Sequence, residues 1–152
     1  MNGTPPYNAT DVARFIIRKY ADDGNPVTNM KLQKMLYYAW VEFHRTRGLY
    51  LFEDAICACR FGPVVPQVYR EYRIYAGMPI LHCDPPGDID PDTAMFLADF
   101  ADAHSGFTAS DLPNLTRRDG YPWKSLYREG EKFTEIPFWK IIRIEHRLSA
   151  TA

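Results

Sequence analysis

Cysteine is scarce in this chain, with three in 152 residues (Cys57, Cys59 and Cys83). That excludes the dense, paired cysteine framework of a small secreted fold. No stretch approaches the roughly 18 continuous apolar residues of a membrane span. The segment from Met1 to Ala13 carries two prolines and no apolar run behind a basic region, so it is not expected to be a signal peptide. The reducing cytoplasm is therefore the expected compartment. A glycine-rich phosphate loop is missing. None of His44, His82, His104 and His146 sits in a recognisable nucleophile motif. These gaps leave catalysis unsupported, with no cofactor and no metal expected. The formal net charge of −1 is far from the basic balance of a nucleic-acid-binding domain, so no direct nucleic-acid partner is expected.

Basic residues are missing locally as well. Residues 84–116 contain no Lys or Arg but seven Asp, whereas residues 1–83 and 117–152 each carry an excess of three positive charges. An acidic segment between basic ones reads either as a partner surface, which would favour a basic partner, or as a solvated helix face and loop.

What is present is material for a core: 46% hydrophobic and 14% aromatic residues, punctuated by twelve prolines and nine glycines. This length suits one domain over residues 1–152. Asn8 is placed to cap a first helix, whose stripe is Val12, Ala13, Ile16, Ile17 and Tyr20. Thr28 or Asn29 starts a second, with Leu32, Met35, Leu36, Ala39, Trp40 and Phe43 on one face and Gly48 as its stop. Residues 49–65 lack a helical period and read as extended, ending at Gly62-Pro63. Pro66 suits the first turn of a third helix with Val68, Tyr69, Tyr72 and Tyr75 inward. Asp90-Pro91 starts a helix to about His104, apolar on more than one face and so expected to be the central buried one. Thr108 to Leu115 and Trp123 to Arg128 read as short helical pieces, and Pro137 opens a last helix through Arg147. The expected fold is mainly α: a compact single-domain bundle of five to seven helices, with room for a small β-ribbon near residues 50–61 and 131–136.

Several groups invite a chemical reading beside a plainer one. Cys57-x-Cys59 with His82-Cys83 has the ligand types of a zinc site but the wrong spacing, and small buried residues explain it better. Asp90 and Asp92 look like a metal-binding fragment, although helix capping accounts for them more simply. Lys31 and Lys34, one turn apart on helix two, are placed either to meet phosphate or carboxylate or simply to lie on a solvated face. Tyr37 and Tyr38 point about 100° apart, so one lies at the edge of the apolar stripe. Arg60-Phe61-Gly62-Pro63-Val64-Val65-Pro66 is either a rigid connector or a preorganised recognition loop.

Two stretches together resemble a known family. Asn29 to Ala39 reads N-M-K-L-Q-K-M-L-Y-Y-A, and Ala58 to Tyr69 reads A-C-R-F-G-P-V-V-P-Q-V-Y. These resemble the Panacea antitoxin domain, the SocA-like group also found in phage-associated proteins, whose pattern is approximately K-L-Q-K-L-L-Y-Y-A followed by A-W-x-x-G-P-V-V-P-x-V-Y. Leu112 to Trp123 resembles its third signature, L-x-x-x-T-H-x-x-x-P-W. Cys59 stands where the family often has Trp, and Arg117 where it often has His.

The resemblance implies a non-enzymatic antitoxin that neutralises a cognate protein toxin by direct contact. The toxin would be encoded by the neighbouring gene, often within a prophage. It also implies an alternative, an adaptor delivering the toxin to an ATP-dependent protease. Interface anchors are commonly Tyr, Trp and Arg. The expected partner-binding residues are therefore Lys31, Lys34 and Tyr38 on an exposed edge of helix two, Arg60, Pro63, Val64 and Tyr69 in the loop and helix that follow, and Arg117 and Trp123.

Overall fold

The first helix, α1 (Ala9–Asp22), buries the predicted stripe of Val12, Ala13, Ile16, Ile17 and Tyr20 almost completely. Asn8 occupies the cap position in extended backbone, but its side chain makes no capping bond. Instead Asp54, from a distant loop, accepts the Ala9 N–H at 3.0 Å. A tertiary carboxylate thus satisfies one of the helix's orphan donors. The architecture comes from a computed structural model that describes residues 3–60, 62–106 and 133–151.

Helix α2 (Asn29–Arg47) is capped by Thr28, whose hydroxyl accepts the Lys31 N–H, and closed by Gly48 in the left-handed region at φ 69°. It packs against α1, α3 (Pro66–Tyr72), α4 (Pro91–Ala103) and the last helix, α5 (Phe138–Thr151). Central place therefore falls to α2, not to the 91–103 helix as its composition suggested. On α4 only Thr93, Leu97, Phe100 and Ala101 are buried, and Met95 is 66% exposed. The reason is width: α4 lies at an edge against α1 and α2, so one face suffices. Its start matches expectation, with Asp90 Oδ1 accepting the Thr93 N–H at 2.8 Å ahead of Pro91. The Tyr7 hydroxyl donates to the other Asp90 oxygen at 2.9 Å, and the hydrogen bonds Asp90 receives hold its carboxyl below the usual carboxylate value.

A three-stranded antiparallel sheet, ordered β2-β1-β3, covers one side of α2. Strand β1 (Ile56–Cys59) pairs with β3 (Thr134–Ile136) in the register Ile56 to Ile136, so the ribbon expected from residues 50–61 and 131–136 is present. The extended segment does not end at Gly62-Pro63. It reverses just before them and returns as β2 (Gly62–Val64), with Cys57 opposite Val64. Gly62 adopts φ 121°, which L side chains avoid, and Pro63 is tolerated because β2 is an edge strand. Helix α3 starts at Pro66 as expected and runs into a one-turn 3-10 helix (Arg73–Tyr75). Val68 and Tyr72 are buried, while Tyr69 and Tyr75 are half-buried.

The described residues are thus mainly α, with five α-helices around one hydrophobic core and a small sheet. No helix among them is long and apolar enough to cross a membrane. The short helical pieces expected at Thr108 to Leu115 and Trp123 to Arg128 lie outside the described residues.

Candidate functional site

The two motif stretches meet along a buried polar seam between α2 and the β2–α3 connection. Gln33 is its centre. Its side-chain oxygen accepts the Val65 N–H at 2.8 Å, and its NH2 donates to Asn29 Oδ1 at 3.0 Å. Asn29 Nδ2 then donates to the Tyr69 carbonyl at 3.1 Å, and Lys34 Nζ donates to the Pro63 carbonyl at 3.4 Å. Gln33 and Lys34 are each only 1% exposed. A strand passing into a helix leaves peptide groups that neither ladder satisfies. The amide of Gln33 supplies an acceptor and a donor in one planar group, which no apolar residue can do.

Lys31 and Lys34 were expected on a solvated edge, and they are buried instead. Lys31 Nζ sits 4.8 Å from the Tyr20 ring centroid and donates to the Ser105 carbonyl at 3.4 Å, while burial lowers its pKa. The flexible stem of lysine packs on apolar neighbours while its ammonium finds carbonyls and a ring face. Pro63 and Val64 are likewise buried, because β2 is held between β1 and α2. Tyr38 is half-buried, with Tyr37 edge-on to it at 5.3 Å. Arg60 is exposed at the β1–β2 turn, and half-buried Tyr69 lies 6.3 Å from Phe133. Arg117 and Trp123 lie outside the described residues.

Beside the seam opens a groove of about 330 Å³. Among the described residues it is lined by Thr28, Asn29, Met30, Gln33 and Lys34 of the α2 start, by Cys59, Val64 and Tyr69, and by the turn Arg73, Ala76 and Gly77. That volume is near the lower end for ligand pockets. Ala76 is the one non-glycine residue with positive φ among the described residues, at φ 52° and ψ −124°. The Met78 N–H donates to the Tyr75 carbonyl at 2.9 Å across this turn. An alanine in that region is strained, at about 1–3 kcal/mol.

Other titratable groups are dispersed. Tyr37 donates to the buried Glu145 of α5 at 2.5 Å, and desolvation raises the Glu145 pKa. His44 and His146 lie 3.4 Å apart between α2 and α5, and burial lowers the His44 pKa. Cys57 is buried in β1, and its thiol is pushed up by desolvation. Cys83 packs on the Arg14 carbonyl. Among the described residues no group of three or more His, Cys, Asp or Glu could hold a metal ion.

Much of the acidic segment is also engaged internally. Asp90 caps α4, Asp92 pairs with Arg47 at 3.1 Å, and Asp102 pairs with Lys19 at 2.8 Å. Asp84, Asp88 and Asp99 are exposed. Sequence reasoning missed Asn29, Gln33 and Glu145. The available signal for the first two was a pair of amides at i and i+4 beside an apolar stripe.

Residues 32–124 match the antitoxin SocA-like, Panacea domain family. Antitoxin SocA of Caulobacter vibrioides (strain NA1000 / CB15N) is 40% identical over 63 residues, which cover 41% of this chain and 34% of that protein. The match thus spans about a third of that relative's length. None of the solved structures matches the chain. The family match runs over more than half of the sequence and takes in Gln33, Lys34 and the whole β1–β2–α3 stretch that the seam holds together. The chain belongs to the antitoxin SocA-like, Panacea domain family.

Proposed function

We propose that this protein is an antitoxin that neutralises a cognate protein toxin, encoded by the neighbouring gene, through direct protein–protein binding in the cytoplasm. The family match over residues 32–124 carries this reading. Neutralisation is by occlusion: a surface of this chain covers the toxin's active site or substrate groove, and no bond is made or broken. Arg60, Tyr69, Arg117 and Trp123 belong to residue types that anchor interfaces. Buried Lys31 and Lys34 act on that surface by holding α2 to its neighbours.

The test is co-expression. The neighbouring gene alone should arrest growth, and adding this chain should restore it. The two products should co-purify, with the toxin's half-life unchanged. A toxin half-life that shortens on co-expression, and recovers when ATP-dependent proteolysis is blocked, would replace occlusion by delivery to a protease. A neighbouring gene that is harmless alone, or lethal despite this chain, would sink the antitoxin reading.

A further inference from the structure

His44 of α2 and His146 of α5 meet across the helix interface, both half-buried, with His44 Nδ1 and His146 Nε2 3.4 Å apart and ring centroids at 5.3 Å. For neutral rings this is one N–H···N hydrogen bond, which needs one facing nitrogen protonated and the other bare. Trp40 stacks on His44 at 5.6 Å, and Tyr50 tilts against it at 5.9 Å. Nearer its start, α5 is anchored by Phe138, stacked on Trp40 at 4.6 Å, by buried Ile141 and Ile144, and by Glu145, which accepts from Tyr37. The neighbouring charged groups on α5 are Lys140, the exposed Arg143 and Glu145. On α2 they are Glu42, paired with Arg45, and Arg47, which pairs with Asp92 of α4.

We propose that His44 and His146 form an acid-released clasp: sharing at most one proton they tie α5 to α2, and taking up a second they push the last turns of α5 away. The first proton is accommodated. An imidazolium N–H bonds the other ring more strongly than a neutral one does, and His44 lies in the last turn of α2, whose carbonyl end favours a cation. The second is not. Both facing nitrogens then donate, neither accepts, and two like charges stand 3.4 Å apart beside aromatic rings. Burial, and then the charge on His146, lower the His44 pKa, in line with that penalty. Below the ordinary histidine value of 6.5 the folded state thus holds fewer protons than the unfolded chain does. The hold on α5 is therefore full above that pH and is lost as pH falls beneath it. Glu145 pulls the other way, since proton uptake there stabilises the fold, so every variant compared retains it. Phe138 and Ile141 stay packed, and the release is confined to the end of the helix. The clasp does not depend on the antitoxin reading.

The test is hydrogen exchange of the full chain at about pH 7.5 and pH 5.5, corrected for the intrinsic rate and read on peptides from the second half of α5 and from α1. In wild type, exchange in α5 should speed up about tenfold or more on acidification, the equivalent of one pKa unit, while α1 changes less than about twofold. His44→Gln and His146→Gln each keep a donor and an acceptor but carry no charge. Each should hold the α5 change below about threefold. An acid response in His146→Gln as large as in wild type would mean that burial of His44 alone is responsible, and would overturn the clasp. So would a wild-type α5 whose exchange differs by less than about twofold between the two pH values. Opening of α1 to the same degree as α5 would be acid unfolding of the whole domain, and it too overturns the proposal.

Discussion

Polar side chains crowd both α2 and α4, but they do opposite work. On α2, Asn29, Gln33 and Lys34 point inward and bond to carbonyls, an N–H and one another. On α4, Asp92 and Asp102 stay largely exposed and pair with Arg47 and Lys19 through solvent-facing contacts. A polar group out of water is expensive to leave unbonded, whereas an exposed ion pair is nearly neutral. The family's motif residues on α2 therefore hold the domain together from inside it.

That contrast can be broken by substitution, and the largest effect belongs to Gln33. Gln33→Leu strands the Val65 N–H and deprives Asn29 Oδ1 of its donor. Each buried group left unsatisfied costs about 1–3 kcal/mol. At about 2–4 °C per kcal/mol for a chain of this size, melting should fall by roughly 5–15 °C. A calorimetric midpoint within a degree of wild type would mean that the seam is not what joins α2 to the sheet.

A smaller effect, of opposite sign, is expected at Glu145, which faces Tyr37 of α2. Its pKa is raised from 4.5, chiefly by desolvation. The folded state thus holds the proton more tightly than the unfolded chain does. The wild type consequently gains stability as pH falls through the raised value toward 4.5, and loses that gain as pH rises. Glu145→Gln keeps an acceptor for the Tyr37 hydroxyl without the buried charge. It should melt about 2–4 °C higher at pH 8, with the advantage shrinking toward pH 4.5. Circular-dichroism melts at both pH values decide it, and a variant less stable than wild type at pH 8 would show that the carboxylate is needed where it is.

The smallest effect lies on α4. Asp102→Asn removes a charge partner of Lys19, whose ammonium also contacts Asp23 at 2.6 Å. Its melting temperature should stay within about a degree of wild type, and any difference should vanish in high salt. A drop as large as that from Gln33→Leu would erase the distinction between the two helices.

The elements were largely legible because their signals are local. The stripe on α1, the Thr28 and Asp90 caps, the Gly48 stop and the positions of strands β1 and β3 all came through at or near their expected places. The errors share a different cause. Asn8 looks like a cap, yet the bond to Ala9 comes from Asp54. The 91–103 segment looks central by composition, yet α2 is central because more elements close around it. Of the expected partner-binding residues, Arg60 is exposed and Tyr69 half-buried, while Lys31, Lys34 and Val64 are interior.

The sequence by itself determined where most of the described helices start, that the chain is mainly α, and which family it belongs to; the last helix, expected through Arg147, runs on to Thr151. Those properties depend on residues within a turn or two of each other, or on the order of residue types along the motif. Only the tertiary structure decided which polar residues face inward. Lys34 is buried because the Pro63 carbonyl, 29 positions away, comes to meet it, and Gln33 because Val65 offers an N–H across the same seam. A side chain's burial depends on whether a distant backbone group arrives to replace water, and no local pattern encodes that arrival.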